Sequence, residues 1–75
     1  MKVISVKKDG IGYNLGLKAG DRLLRINSKR VRDEINFQFR VTDEKLSLEF
    51  EIDGVRRFFE IEKDFDDNLG LEFEE

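Results

Sequence analysis

The chain has 75 residues and a mass of 8.9 kDa, enough for one small domain and too few for two, since a single core takes roughly 50 residues. Seven Phe and 39% hydrophobic residues can build a core, while 41% charged residues leave no apolar run near the ~20 residues of a membrane span. Cys and His are both absent, which removes thiolate nucleophiles, zinc sites, disulfides and imidazole acid–base chemistry together, so neither an enzyme nor a cofactor is expected.

The start, Met1 to Lys8, lacks the long apolar stretch of a secretory signal, so a cytoplasmic protein is expected. Val3 to Val6 is a β-branched run ended by Lys7-Lys8-Asp9-Gly10, and reads as a short buried strand followed by a turn. The glycines at 10, 12 and 16 limit the next segment to one helical turn around Tyr13 to Leu15, capped by Gly16. They also form no phosphate cradle, because no Lys-Ser/Thr follows them. Gly20-Asp21 is a turn signal, and Leu23, Leu24 and Ile26 make a second strand that ends at Asn27-Ser28-Lys29. The basic cluster Lys29, Arg30 and Arg32 has no interleaved aromatic residue, so no nucleic-acid partner is expected.

From Asp33 to Asp43 two periods compete. Ile35, Phe37, Phe39 and Val41 alternate as in a strand, yet Asp33 is a good N-cap, Glu34 suits a first turn, and Ile35/Phe39 and Phe37/Val41 are i,i+4 pairs. A helix with two apolar faces is expected. Next, Leu46, Leu48, Phe50 and Ile52 alternate up to Asp53-Gly54, and Val55, Arg57, Phe59 and Ile61 alternate after it. This is a β-hairpin pairing Ile52 with Val55, Leu48 with Phe59 and Leu46 with Ile61, and it leaves Phe58 on the opposite face in need of a partner.

The end of the chain differs in charge from the rest. Residues 1–59 carry 13 basic and 9 acidic groups, whereas residues 60–75 carry 1 and 8. Phe65, Leu69, Leu71 and Phe73 interrupt the acids, so this tail belongs to the fold: an acidic loop over Asp64 to Asn68, a tight backbone at Gly70, and a last strand over Leu71 to Glu74. Asp64, Asp66, Asn68 and Glu75 have EF-hand spacing, but Leu69 stands where that loop needs Gly, and no metal site is expected.

The stretch Gly16-Leu17-Lys18-Ala19-Gly20-Asp21-Arg22-Leu23-Leu24-Arg25-Ile26-Asn27 resembles the "G-L-x-x-G-D-x-I/L-L-x-I-N" segment of PDZ domains, especially bacterial ones. The likeness implies an α+β fold, a PDZ-like partly open barrel of five to six mostly antiparallel strands with one main helix and one short helical turn, spanning residues 1–75. It also implies a carboxylate-binding loop, for which Asn68-Leu69-Gly70-Leu71-Glu72-Phe73 is the candidate. Its place at the end of the chain resembles a circularly permuted PDZ domain. By position, Leu69, Gly70 and Leu71 then form the loop, and Leu71, Glu72 and Phe73 the strand that accepts an added strand. Ile35 and Phe39 form the helical wall, with Phe37 and Val41 as the alternative pair.

Asp64, Asp66 and Asp67 depart from the basic residue that such loops offer. Two like charges ~6 Å apart at an effective dielectric of ~20 repel by on the order of 3 kcal/mol, unless Lys63 compensates. The ending "NLGLEFEE" further resembles the N-terminal PDZ-like segment of a bacterial radical-SAM-like iron–sulfur family of unknown function, which implies a domain excised from a longer protein. The expected partner is a protein or peptide segment, or the remainder of the parent chain, with no membrane. The alternative is a structural domain that positions an iron–sulfur enzyme, its groove filled by Phe58 or Phe65.

Overall fold

A computed structural model describes residues 1–74. Its elements run β1 (Val3–Val6), α1 (Ile11–Asn14), β2 (Arg22–Ile26), β3 (Lys29–Arg30), α2 (Glu34–Arg40), β4 (Lys45–Ile52), β5 (Val55–Glu62) and β6 (Leu71–Phe73). All strand pairs are antiparallel, in a four-stranded sheet of order β3-β2-β4-β5 and a two-stranded sheet β1-β6. This is a small α+β, PDZ-like fold.

The β4–β5 hairpin has the register its alternation implies, with Ile52 opposite Val55, Leu48 opposite Phe59 and Leu46 opposite Ile61. Its two-residue turn needs positive φ at both positions, and Asp53 (53°) and Gly54 (78°) supply it. Leu46, Leu48 and Phe50 point inward and are buried, and Phe50 meets Phe59 edge to face at 6.0 Å. Phe58 is 71% exposed, because the second face of this hairpin is open to solvent.

The same turn chemistry makes a hairpin absent from the sequence reading. Asn27 and Ser28 adopt φ of 51° and 68°, and Lys29–Arg30 returns beside Arg25 and Ile26. Two residues are too few to show a period.

Register irregularities set which β1 and β2 side chains reach the core. Between Leu23 and Arg25 the pairing with β4 shifts, so Leu23 and Ile26, three apart, both turn inward. A similar shift between Val3 and Ser5 leaves Ile4 half exposed, and β1 is therefore less buried than its composition implies.

The short helix starts at Ile11, two residues before the expected turn, and Gly16 at φ 89° follows its Leu15 cap. Downstream, Gly20 takes φ 100° and the buried Asp21 carboxylate accepts both the Lys18 amide (2.9 Å) and the Lys18 ammonium (2.9 Å). The ammonium's hydrogen bond to Asp21, with the charges of Asp21 and Asp53 behind it, holds the Lys18 pKa above its ordinary 10.5. Bonds from the Val3 amide to the Asp21 carbonyl (2.8 Å) and from the Leu23 amide to the Met1 carbonyl (2.8 Å) tie the two sheets together.

Candidate functional site: a groove between the last strand and the main helix

Strand β6 has two edges in different surroundings. One is occupied by β1, with Val3 opposite Phe73, Ser5 opposite Glu72 and Val6 opposite Leu71. The Lys7 amide donates to the Gly70 carbonyl (2.8 Å) and the Glu74 amide to the Lys2 carbonyl (2.9 Å). Because bonded and non-bonded pairs alternate along an antiparallel ladder, the N–H and C=O groups of Leu71 and Phe73 face away from β1. Helix α2 packs against β6, the Phe37 and Phe73 rings meeting edge to face at 4.8 Å.

Local sequence accounts for both walls. The Asp33 carboxylate accepts the Asn36 amide at 2.7 Å and starts α2. Gly70, at φ 70°, lets the chain turn into β6, and its amide donates to Asn68 Oδ1 at 2.9 Å. The Leu69 carbonyl accepts the Gly12 amide at 2.8 Å, so α1 seats the turn from behind. The approach is close: a Cβ on Gly12 would lie 2.6 Å from Leu71 Cδ2 and 3.1 Å from the Leu69 carbonyl oxygen.

A cavity of about 500 Å³ opens between these walls, bounded by Phe37, Gln38 and Val41 on one side and Leu69, Gly70 and Leu71 on the other. A second recess of about 500 Å³, lined by Met1, Arg32, Glu34, Phe73 and Glu74, lies at the far end of β6. There the Met1 ammonium donates to the Leu23 carbonyl at 3.0 Å. Burial, and then the charge of Arg22, push its pKa below the ordinary 8.0.

The structure brings together the tail residues and separates them from two others. Leu69 and Phe73 are buried as core, Gly70 and Leu71 are half-buried at the opening, and Glu72 is exposed. Ile35 and Phe39 do not form the wall. They are 82% and 78% exposed and line a different cavity, of about 710 Å³, with Ile26 and Lys29. Residues two apart on a helix are separated by about 200°, so only one of the two apolar pairs can face the core. Phe37 and Val41 take that face because Phe73 is there to meet Phe37.

The charges of the loop also differ from expectation. Carboxylate oxygens of Asp64, Asp66 and Asp67 lie within 4.8 Å of one another, but Asp64 and Asp67 line a separate recess with Glu44 and Lys45, not the groove. Lys63 is buried and its ammonium donates to the Asp64 carbonyl at 3.1 Å, so it does not serve Gly70. The cation that lines the groove is Lys7, whose Cβ would come within 3.3 Å of a Cβ on Gly70. The sequence reading did not pick it out; the pairing of β1 with the tail is what brings it there. Of the EF-hand spacing, Glu75 lies outside the described residues, and Asn68 Oδ1 is engaged by Gly70.

A family model described as PDZ domain matches residues 2–56, more than half of the chain, and the chain belongs to the PDZ domain family. PDZ domains are generally non-catalytic protein-interaction modules that bind peptide segments. The match ends at the start of β5, so the groove strand lies beyond it. No curated protein matches the chain. Among the described residues, no helix is long and apolar enough to cross a membrane.

Proposed function

We propose that this domain binds an extended protein segment by β-augmentation, the segment adding to the outer edge of Leu71–Phe73 opposite α2. The observation that carries this reading is that the Leu71 and Phe73 backbone groups face away from β1, with Leu71 lining a cavity shared with Phe37 and Val41 and Phe73 lining the neighbouring recess with Arg32 and Glu34. Backbone hydrogen bonds supply affinity, and the apolar cavity selects the side chain that enters it. Peptide-binding residues in this reading are Leu69, Gly70, Leu71, Glu72 and Phe73, with Phe37 and Val41 in place of Ile35 and Phe39. The loop and strand at the chain's end do the work that the likeness to permuted PDZ domains assigns them. A ligand carboxylate at Gly70 would displace Asn68 Oδ1 and meet Lys7.

The structural alternative, in which Phe58 or Phe65 fills the groove, is disfavoured because both are 71% exposed. In a longer iron–sulfur parent the same groove takes a segment of that parent. Amide chemical shifts during titration with an apolar heptapeptide test the proposal. Movement at Gly70, Leu71, Phe73 and Gln38, with Phe58 still, supports it; no movement at millimolar peptide overturns it.

A further inference from the structure

The cavity lined by the opposite face of α2 has a volume of about 710 Å³, and the groove does not use it. Ile35 and Phe39 stand at its mouth, 82% and 78% exposed, over the buried Ile26. Two large apolar side chains side by side on one helix face make a contiguous patch, unlike single exposed residues scattered over a surface. Its rim is basic: Lys29 and Arg40 line it, with Arg30 next to Lys29 on the sheet-edge strand β3. One acid, Asp43, is also on the rim, and its carboxylate accepts the Asn27 amide group at 3.2 Å.

The complementary feature lies in the same chain. Phe65 is 71% exposed in the sequence Asp64-Phe65-Asp66-Asp67, an apolar ring among three carboxylates. It lines none of the cavities described above. We propose that two copies of this chain associate, the Phe65 loop of one seating against Ile35 and Phe39 of the other, with the loop's carboxylates facing Lys29 and Arg40. The occupant follows from matched opposites. An aromatic side chain flanked by negative charge fits an apolar recess flanked by positive charge, and each copy offers both halves, so a two-fold pair would make the same contact twice. The contact is small, which places it among weak associations, at about 10 μM to 1 mM. It lies on the face of α2 opposite Phe37 and stands independently of peptide binding in the groove.

Sedimentation of the 75-residue chain between about 10 μM and 1 mM tests this. The weight-average mass is expected to rise from that of a monomer toward that of a dimer, less steeply at high salt as the charges are screened. Phe39→Ser and Phe65→Ser should each weaken association by about tenfold or more. Both positions are exposed, so the variants keep the fold, which circular dichroism verifies. An equimolar mixture of the two variants should recover part of the association, because the Phe39→Ser chain still offers Phe65 and the Phe65→Ser chain still offers Phe39. A monomer at every concentration overturns the proposal. So does a dimer indifferent to both substitutions, or a mixture no better than its components.

Discussion

The two sheets are built from the same antiparallel pairing and differ in where their partners lie along the chain. In the four-stranded sheet, β2 with β3 and β4 with β5 are joined by two-residue turns, and side chains such as Leu48 and Phe50 are fully enclosed. In the two-stranded sheet, residue 3 meets residue 73, and the strands are four and three residues long. Loop-closure cost grows with the length closed, by about 0.6 kcal/mol per doubling, so the second sheet is the dearer to assemble and has less burial to offset the cost. The consequence is functional: the groove's inner wall belongs to the sheet with the least local support, and only one of its edges is taken.

Enlarging a void in the stronger sheet gives the largest effect. Phe50 is wholly buried, and Phe50→Ala should cost about 3–5 kcal/mol, against a net stability of ~3–5 kcal/mol for a core of this size. The variant is expected to be largely unfolded by far-UV circular dichroism at 25 °C. A folded Phe50→Ala domain would mean that the two-stranded sheet contributes far more than its size suggests.

Gly12→Ala strikes the weaker sheet alone. The added methyl would press on Leu71 Cδ2 at 2.6 Å and on the Leu69 carbonyl oxygen at 3.1 Å. The side chain can rotate away but the backbone oxygen must shift. About 1–3 kcal/mol of destabilisation is expected in urea titration, together with weaker peptide binding as the Leu69–Leu71 turn moves. Unchanged binding would place the ligand away from that turn.

The outer wall is tested more gently. Asp33→Ala deletes the bond to the Asn36 amide and should cost about 1 kcal/mol. The loss is expected as fraying of the first turn of α2, read as faster amide exchange at Gln38 while the β4 and β5 amides keep their protection. Uniform loss of protection would show that helix and sheet unfold as one unit.

What the sequence disclosed follows the same division. The β4–β5 register was legible because alternation on both sides of Asp53-Gly54 admits one pairing, and the Asp33 cap and the Gly70 turn were legible because each is a local demand of the backbone. The inward face of α2 was not, since Ile35/Phe39 and Phe37/Val41 are equally good pairs until Phe73, more than thirty residues later, supplies a ring for Phe37. The shifts that turn Ile4 outward and Leu23 and Ile26 inward are likewise settled by the neighbouring strand. The groove's charge was misjudged for a related reason: Lys7 reaches it through long-range pairing, while the acids adjacent in sequence, Asp64 and Asp67, face another recess.

The smallest expected effect on stability is the sharpest test of that helix face. Phe39 and Phe37 share a helix, a residue type and nearly a position, so propensity cancels between them and only the environment differs. Phe37 is buried against Phe73, whereas Phe39 is 78% exposed and leaves most of its ring in water in both the folded and unfolded chain. Phe39→Ser should therefore leave the monomer, measured at low micromolar concentration, within about 0.5 kcal/mol of the parent. A loss of several kcal/mol instead would mean that Phe39 packs inside the domain, and the groove would then be walled by Ile35 and Phe39 after all.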